Sequence, residues 1–249
     1  MTAPTQQTRP VVTVALALVV AAVGLVTGVA LSLGTIVFLS LAGFELSATH
    51  LIVISLVMTQ GIAFGGVALV YLRLRDLPTS FIGARIPTLR DLGWVVGGYI
   101  TAIAAIILAG LFVFFTGVQT SSNQAAELGI QNPEVLLVLI PASFLLIGPG
   151  EELLFRGIVQ GTIRRVLGPV PGVILASAVF AAIHFVALTG GTSGRLVSIA
   201  ILFFPALVFG AAYERTGNIV VPSLIHGLYN ATLFSLLYVS IQMGQIGAL

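Results

Sequence analysis

Seven long apolar runs fill most of this 249-residue chain, and they constrain its fold more than any other feature. A helix needs about 20 apolar residues to cross the hydrocarbon core of a bilayer, which is roughly 30 Å thick. Because lipid offers no hydrogen-bond partners, the backbone N–H and C=O groups of each run must bond to one another, as they do in a helix. The pattern predicts an all-α, polytopic transmembrane helix bundle with about seven spans. The predicted spans are Val11 to Leu41, His50 to Leu72, Gly93 to Val118, Glu134 to Gly161, Pro171 to Leu188, Leu196 to Tyr213 and Ile219 to Val239.

The first run, Val11 to Leu41, is longer than one span requires. We expect it to tilt, or to break near Gly34 and so give eight spans. It lacks a small-residue cleavage site, which indicates a retained span and not a signal peptide. Only 7% of the residues are charged, against about a quarter in an average soluble domain. The chain is therefore predicted to be a multi-pass protein of the cell membrane.

The distribution of arginine predicts the orientation of the bundle, because cytoplasmic loops carry the excess of positive charge. Alternate loops are rich and poor in arginine, which places the N-terminus inside and the C-terminus outside. No block of basic residues suits nucleic acid, so nucleic-acid binding is not expected. The chain has no cysteine, which excludes disulfides and thiol nucleophiles. The arginines assigned to the inside are Arg9, Arg73, Arg75, Arg85, Arg90, Arg164, Arg165 and Arg215, and the one assigned to the outside is Arg195.

Three ionisable residues interrupt the fourth span directly after Gly148-Pro149-Gly150, a sequence that should disturb the helix. Each charge costs roughly 2.5 to 3.5 kcal/mol at the bilayer centre. Glu152 and Arg156 are four residues apart on one helix face, so we expect them to form an ion pair. Glu151 lies about 100° around the helix from Glu152 and has no oppositely charged partner at helical spacing. It is the group left free for chemistry.

Two histidines and an asparagine in later spans are predicted to join Glu151. His184 lies late in the fifth span, and His226 lies in the seventh. Counted along their helices at about 1.5 Å per residue, both histidines and Glu151 meet near mid-membrane. Asn230 follows His226 by four residues and projects from the same helix face.

These residues suit peptide hydrolysis. A carboxylate in a dry cavity is a usable general base, which fits Glu151 with help from His184. An imidazole and an amide on one face, His226 and Asn230, offer donors to a developing oxyanion. A zinc site is the alternative, with Glu151, His184 and His226 as ligands and one position open to water. No HExxH occurs, and no GxSxG elbow supports a serine nucleophile.

Four short motifs together resemble the CAAX protease and bacteriocin-processing family, also called CPBP or Abi, which includes prenyl-protein endopeptidases. They are Glu-Glu-x-x-x-Arg at 151–156, Phe-x-x-x-His at 180–184, Leu-Val-Phe-Gly at 207–210 and His-x-x-x-Asn at 226–230. The resemblance implies that Glu151 and His184 activate water and that His226 and Asn230 form the oxyanion site. Glu152 and Arg156 would then be supporting residues. Members have been described both as metalloproteases and as metal-independent glutamate proteases, so zinc stays possible and no cofactor is certain.

Composition and the resemblance together divide the chain. We expect a disordered cytoplasmic head over residues 1–10, N-terminal transmembrane helices over 11–133, a catalytic transmembrane core over 134–241 and a short tail over 242–249. The expected partners are the lipid bilayer and a peptide or prenylated-protein substrate, approached through a cavity that faces the cytoplasm. A proton-coupled transporter could use the same buried residues, as could a noncatalytic membrane scaffold. The sequence shows no inverted repeat of the kind that many transporters have.

Overall fold

The computed structural model describes residues 10–244, and this part of the chain is a bundle of helices without a β-strand. Seven of the helices are long and apolar enough to cross a membrane, which confirms the predicted polytopic all-α fold. The first is continuous, so the break expected near Gly34 does not occur. The membrane helices are α1 (Pro10–Leu41), α2 (Ala48–Leu74), α3 (Leu89–Thr116), α5 (Glu134–Leu167), α6 (Pro169–Val186), α7 (Thr192–Thr216) and α8 (Val220–Gln242), and the short helix Gln124–Gln131 is α4. The predicted head, apart from Pro10, and the last five residues of the predicted tail lie outside the described residues.

Short polar residues set the ends of two membrane helices. Ser47 begins α2 with a capping box, in which its hydroxyl accepts from the backbone of His50 and the His50 ring accepts from the Ser47 backbone. Thr88 and Asp91 form the same arrangement at the start of α3. Each box satisfies backbone donors that the first helical turn leaves free. His50, the third histidine of the chain, therefore has a structural role away from the other two.

Wide π-helical turns interrupt α2 and α5 where the two helices face each other. In α2 they cover Val57–Phe64, and in α5 they cover Ser143–Ile147 and Leu153–Gln160. The Gly-Pro-Gly sequence lies in the regular α-helical turn between the two wide segments of α5, Gly148–Glu152. Such turns change the direction in which the following side chains project, and they are frequent at functional sites.

Helix α5 lies at the centre of the bundle and packs through glycines onto its neighbours. A Cβ on Gly148 would lie 2.7 Å from the carbonyl oxygen of Ser223 in α8, and one on Gly150 would overlap the carbonyl oxygen of Gln60 in α2. Small residues allow this approach of one helix backbone to another inside a membrane. The glycines therefore bring Glu151 and Glu152 next to both α2 and α8.

The two ends of the bundle differ in charge. The arginine end is formed by residues 73–90, 164–169 and 213–220, and the opposite end by residues 42–47, 117–133 and 187–195. At the arginine end, Arg164 pairs with Glu214 at 2.9 Å and Arg85 pairs with Asp91. Arg195 is at the opposite end, where its side chain donates to the carbonyl oxygen of Gly190.

Candidate active site

Glu151 projects from α5 into a buried cluster and is 7% exposed. Its Oε1 accepts a hydrogen bond of 2.8 Å from Nε2 of Gln60 in α2. Its Oε2 lies 3.9 Å from Nε2 of His184 and 3.8 Å from Nε2 of His226. These two distances are too long for direct hydrogen bonds, but one water molecule can contact all three atoms. Within residues 10–244, Oε2 has no hydrogen-bond partner.

His184 lies in the single 3₁₀ turn that ends α6, His184–Val186. Its Nδ1 is 2.7 Å from the carbonyl oxygen of Phe180, one helical turn earlier. Because a carbonyl oxygen only accepts, Nδ1 must carry the proton in this contact. When the ring is neutral, the lone pair of Nε2 then faces Glu151. The local helix backbone thus selects the tautomer in which His184 faces the site as a base.

His226 is held from three sides and is 4% exposed. Its Nδ1 lies 2.9 Å from Oε1 of Glu152. Its ring stacks on Phe209 of α7 with centroids 4.8 Å apart, and the ring of Phe180 packs edge-on at 5.7 Å. Such packing fixes the plane of the imidazole, so Nε2 points at Glu151.

Glu152 and Arg156 form the predicted ion pair, with Nε of Arg156 3.1 Å from Oε2 of Glu152 and both side chains 0% exposed. The guanidinium also donates to the carbonyl oxygen of Ala206 at 3.2 Å and lies over the ring of Phe180. The sequence predicted Arg156 as the only partner of Glu152. The structure adds His226 as a second partner, so one carboxylate links the arginine to the histidine.

Asn230 lies one turn beyond His226 on α8, as the spacing predicts, and is half-buried. It lines a cavity of about 810 Å³ together with Glu151, His184 and His226. No side-chain hydrogen bond involves Asn230 among residues 10–244, which leaves its amide free to meet a bound molecule. The structure therefore brings all four candidate catalytic residues to one cavity wall.

Two residues of the site were not predicted from the sequence. Gln60 bonds to Glu151 from the middle of the second span, where it is the one amide side chain of that run. A buried amide in a membrane helix needs a partner, and this signal could have identified it. Phe209, which stacks on His226, lies within the 207–210 motif but is indistinguishable from other apolar residues.

The three possible zinc ligands are close but more widely spaced than a zinc site requires. Bonds of about 2.0 to 2.2 Å in a tetrahedron place neighbouring ligand atoms about 3.4 Å apart. Here the two imidazole nitrogens lie 3.9 and 3.8 Å from Oε2 of Glu151. Within residues 10–244 no group of three His, Cys, Asp or Glu is arranged to hold a metal ion. The arrangement fits a water molecule better than it fits zinc.

Comparison with known proteins finds a family match over the part of the chain that carries most of these residues. Residues 133–232 match the family model for type II CAAX prenyl endopeptidases, described as Rce1-like. All the candidate residues on α5, α6 and α8 lie within that range. The resemblance inferred from the motifs is thereby confirmed for this part of the chain. The chain is a multi-pass membrane protein, and its residues 133–232 are similar to type II CAAX prenyl endopeptidases.

One curated relative extends the similarity beyond this region. An uncharacterized 24.3 kDa protein of Escherichia coli is 29% identical to this chain over 154 residues. The match covers 60% of this chain and 66% of the relative, just under two thirds of its length. No solved structure matches the chain.

Proposed function

We propose that this protein is an intramembrane endopeptidase that hydrolyses peptide bonds at the membrane. The observation that carries the proposal is the free Oε2 of Glu151, which faces the Nε2 atoms of His184 and His226 at 3.9 and 3.8 Å in a buried cavity. An unpaired carboxylate oxygen inside a membrane is costly, and ionisable residues at such positions usually mark a functional site. The family match over residues 133–232 supports peptide hydrolysis as that function.

In the proposed first step, a water molecule lies between Oε2 of Glu151 and Nε2 of His184. Gln60 donates to the other oxygen of Glu151 and keeps Oε2 directed at the water. Glu151 accepts one proton of the water as the oxygen bonds to the carbonyl carbon of the substrate. His184 accepts a hydrogen bond from the second O–H group and aligns the oxygen for attack.

In the same step, negative charge develops on the substrate oxygen, and His226 and Asn230 are proposed to stabilise it. The Nδ1 proton of His226 is directed at Glu152, so a second proton on Nε2 makes the ring an imidazolium that donates to the oxyanion. The carboxylate of Glu152 stabilises that positive charge. The free amide of Asn230 supplies a second donor.

The tetrahedral intermediate collapses when Glu151 returns its proton to the leaving amine. The peptide C–N bond breaks, and a carboxylic acid and an amine result, which balances the addition of one water.

Before the reaction, with Arg156 and the imidazolium of His226 positive and both glutamates negative, the cluster has no net charge. This balance lowers the cost of holding four ionised groups within the bilayer. The family description suggests prenylated CAAX peptides as one substrate class.

The same residues could serve proton transport, but the shape of the site favours hydrolysis. A proton path must reach both faces of the membrane. On the arginine side of Glu152, the side chains of Leu154, Phe155 and Ile158 are 0% exposed and fill the space between helices. The cavity is therefore proposed to hold a substrate and not to conduct ions.

The proposal is tested with the Glu151→Gln variant, which keeps the shape of the side chain but removes the base. The purified chain in liposomes is incubated with membrane-anchored peptides, some carrying a farnesylated CAAX end, and cleavage is followed by mass spectrometry. We expect Glu151→Gln to reduce the cleavage rate by about a hundred- to ten-thousandfold.

The matched control is Glu134→Gln, which changes an exposed glutamate at the start of the same helix. We expect it to cleave as the parent chain does. Unchanged cleavage by Glu151→Gln would refute the proposed role of Glu151. Treatment with a strong chelator separates the two hydrolytic mechanisms, since a zinc enzyme loses activity when stripped and the metal-independent mechanism does not.

A further inference from the structure

The cavity that holds the candidate site extends toward one end of the bundle. From Glu151 and His226 it continues past Ser55 and Leu51 of α2, near the beginning of that helix. Residues 120–121, 123–126, 128 and 186–188, at the end opposite the arginines, also line it. His184 itself lies in the last turn of α6, directly before the loop at this end. The walls therefore lead from the reacting groups to the arginine-poor end.

The other side of the site is closed. Below Glu151, the paired side chains of Glu152 and Arg156 are fully buried. The next turn contributes Gln160, which is 0% exposed and donates to the carbonyl oxygen of Gly210 at 3.0 Å. No residue of the loop between α2 and α3, or of the turn between α7 and α8, lines the cavity. A peptide that arrived from the arginine end would have to displace this buried layer.

Charge decides which end faces the cytoplasm. Arginines concentrate on the cytoplasmic side of membrane proteins, because positive loops cross the membrane poorly. In the described part of the chain, seven arginines lie at one end of the bundle and one, Arg195, lies at the other. The seven are Arg73, Arg75, Arg85, Arg90, Arg164, Arg165 and Arg215. The cavity therefore opens away from the face that the charge pattern assigns to the cytoplasm.

We propose that the substrate reaches Glu151 from the non-cytoplasmic side, through the arginine-poor end and past its segments 117–133 and 187–195. This inference rests on the proposed function, because it names the substrate of that same site. The cavity walls carry no charged side chain apart from Glu151 and the two histidines. The substrate is accordingly an uncharged or apolar peptide segment, adjacent to a membrane anchor, whose cleaved bond lies on the outer side. This class differs from the cytoplasm-facing one that the sequence suggested.

Single-cysteine variants test this directly, because the chain contains no cysteine. Ser55→Cys reports on the cavity, Ser122→Cys on the exposed loop at the proposed entrance and Ser80→Cys on the exposed loop at the arginine end. Cells that express each variant are treated with a small, charged, membrane-impermeant methanethiosulfonate. We expect Ser55→Cys and Ser122→Cys to be labelled as fully in intact cells as after permeabilisation. Ser80→Cys should be labelled only after permeabilisation.

Three results would overturn the inference. Labelling of Ser55→Cys only after permeabilisation would place the entrance on the cytoplasmic face. No labelling of Ser55→Cys, with Ser122→Cys fully labelled, would show that the cavity is closed from this side. Labelling of Ser80→Cys in intact cells would reverse the orientation. Each variant is also prepared with Glu151→Gln, so labelling is measured without cleavage and failure of the proposed function stays distinguishable.

Discussion

Glu151 shows how a single carboxylate is prepared for chemistry by residues from three other helices. Gln60 occupies one oxygen, and the imidazoles of His184 and His226 face the other. The second glutamate, Glu152, has both oxygens engaged, one by Arg156 and one by His226. Two adjacent residues of identical chemistry therefore take different roles because their partners differ. Glu152 holds the cluster together, and Glu151 keeps a free oxygen.

Replacement of Gln60 by leucine should slow cleavage without a change in substrate binding. Loss of a hydrogen bond to a charged group removes about 1.5 to 3 kcal/mol, which corresponds to about ten- to a hundredfold in rate. We expect kcat to fall by this factor while KM stays unchanged, as measured in the liposome cleavage assay. Thr59→Val is the control, since Thr59 precedes Gln60 and lines the same cavity but bonds to Ser32. A rise in KM with unchanged kcat would contradict the positioning role.

Removal of Arg156 should destabilise the fold, because it leaves Glu152 buried with only His226 as a partner. Breaking a buried ion pair costs about 3 to 5 kcal/mol, and the remaining contact of Glu152 with His226 keeps the loss near the lower figure. We expect Arg156→Met to lower the midpoint of thermal unfolding in detergent. Arg164 lies on the same helix as Arg156 and forms a partly exposed pair with Glu214 of α7, so Arg164→Met should cost less than about 1 kcal/mol. Equal effects of the two substitutions would contradict the structural role of Arg156.

At the scale of the helices, the site depends on how closely α5 approaches α2 and α8. Gly148 and Gly150 lie against backbone atoms of these helices, where no side chain could move aside. The wide turns of α5 on both sides of these glycines then direct Glu151 and Glu152 to different neighbours. The helix that carries the two glutamates is thus shaped by the residues immediately before them.

Gly150→Ala tests this contact. The added methyl group would overlap the carbonyl oxygen of Gln60, so α2 and α5 must separate. Overpacking of this kind costs about 1 to 3 kcal/mol, and the separation should also break the bond from Gln60 to Glu151. We expect a lower thermal midpoint together with reduced cleavage. Gly66→Ala, on the open surface of α2, should affect neither, and a loss as large as that of Gly150→Ala would argue against a specific contact.

At the scale of the whole molecule, an odd number of candidate spans among residues 10–244 predicts that the two ends of the chain lie on opposite faces of the membrane. The concentration of arginine at one end predicts that the N-terminus is cytoplasmic. Fusion of a fluorescent protein that folds only in the cytoplasm should therefore give signal at the N-terminus but not at the C-terminus. Fusions of a phosphatase that is active only outside should give the reverse. Signal from the same reporter at both termini would contradict the count of seven spans.

The sequence alone determined the membrane fold, because about 20 consecutive apolar residues have few stable alternatives to a spanning helix. It also determined the ion pair between Glu152 and Arg156, since helical spacing is a local property. The sequence also indicated Glu151, His184, His226 and Asn230 as site residues, because polar residues are costly in lipid and stand out within apolar spans. The structure brings these four together, while their catalytic roles remain predictions for the experiments above.

Other features were decided only by the tertiary structure, because they join residues that are far apart in the chain. Gln60 and Glu151 are separated by 91 positions, and no helical period relates them. The bond from His226 to Glu152 likewise depends on the contact of α8 with α5 through Gly148. The direction in which the cavity opens follows from the packing of all eight helices, each of which contributes to its lining. Local spacing placed the ionisable groups at a common depth, and only the packing of the helices fixed which atoms face each other and from which side a peptide can reach them.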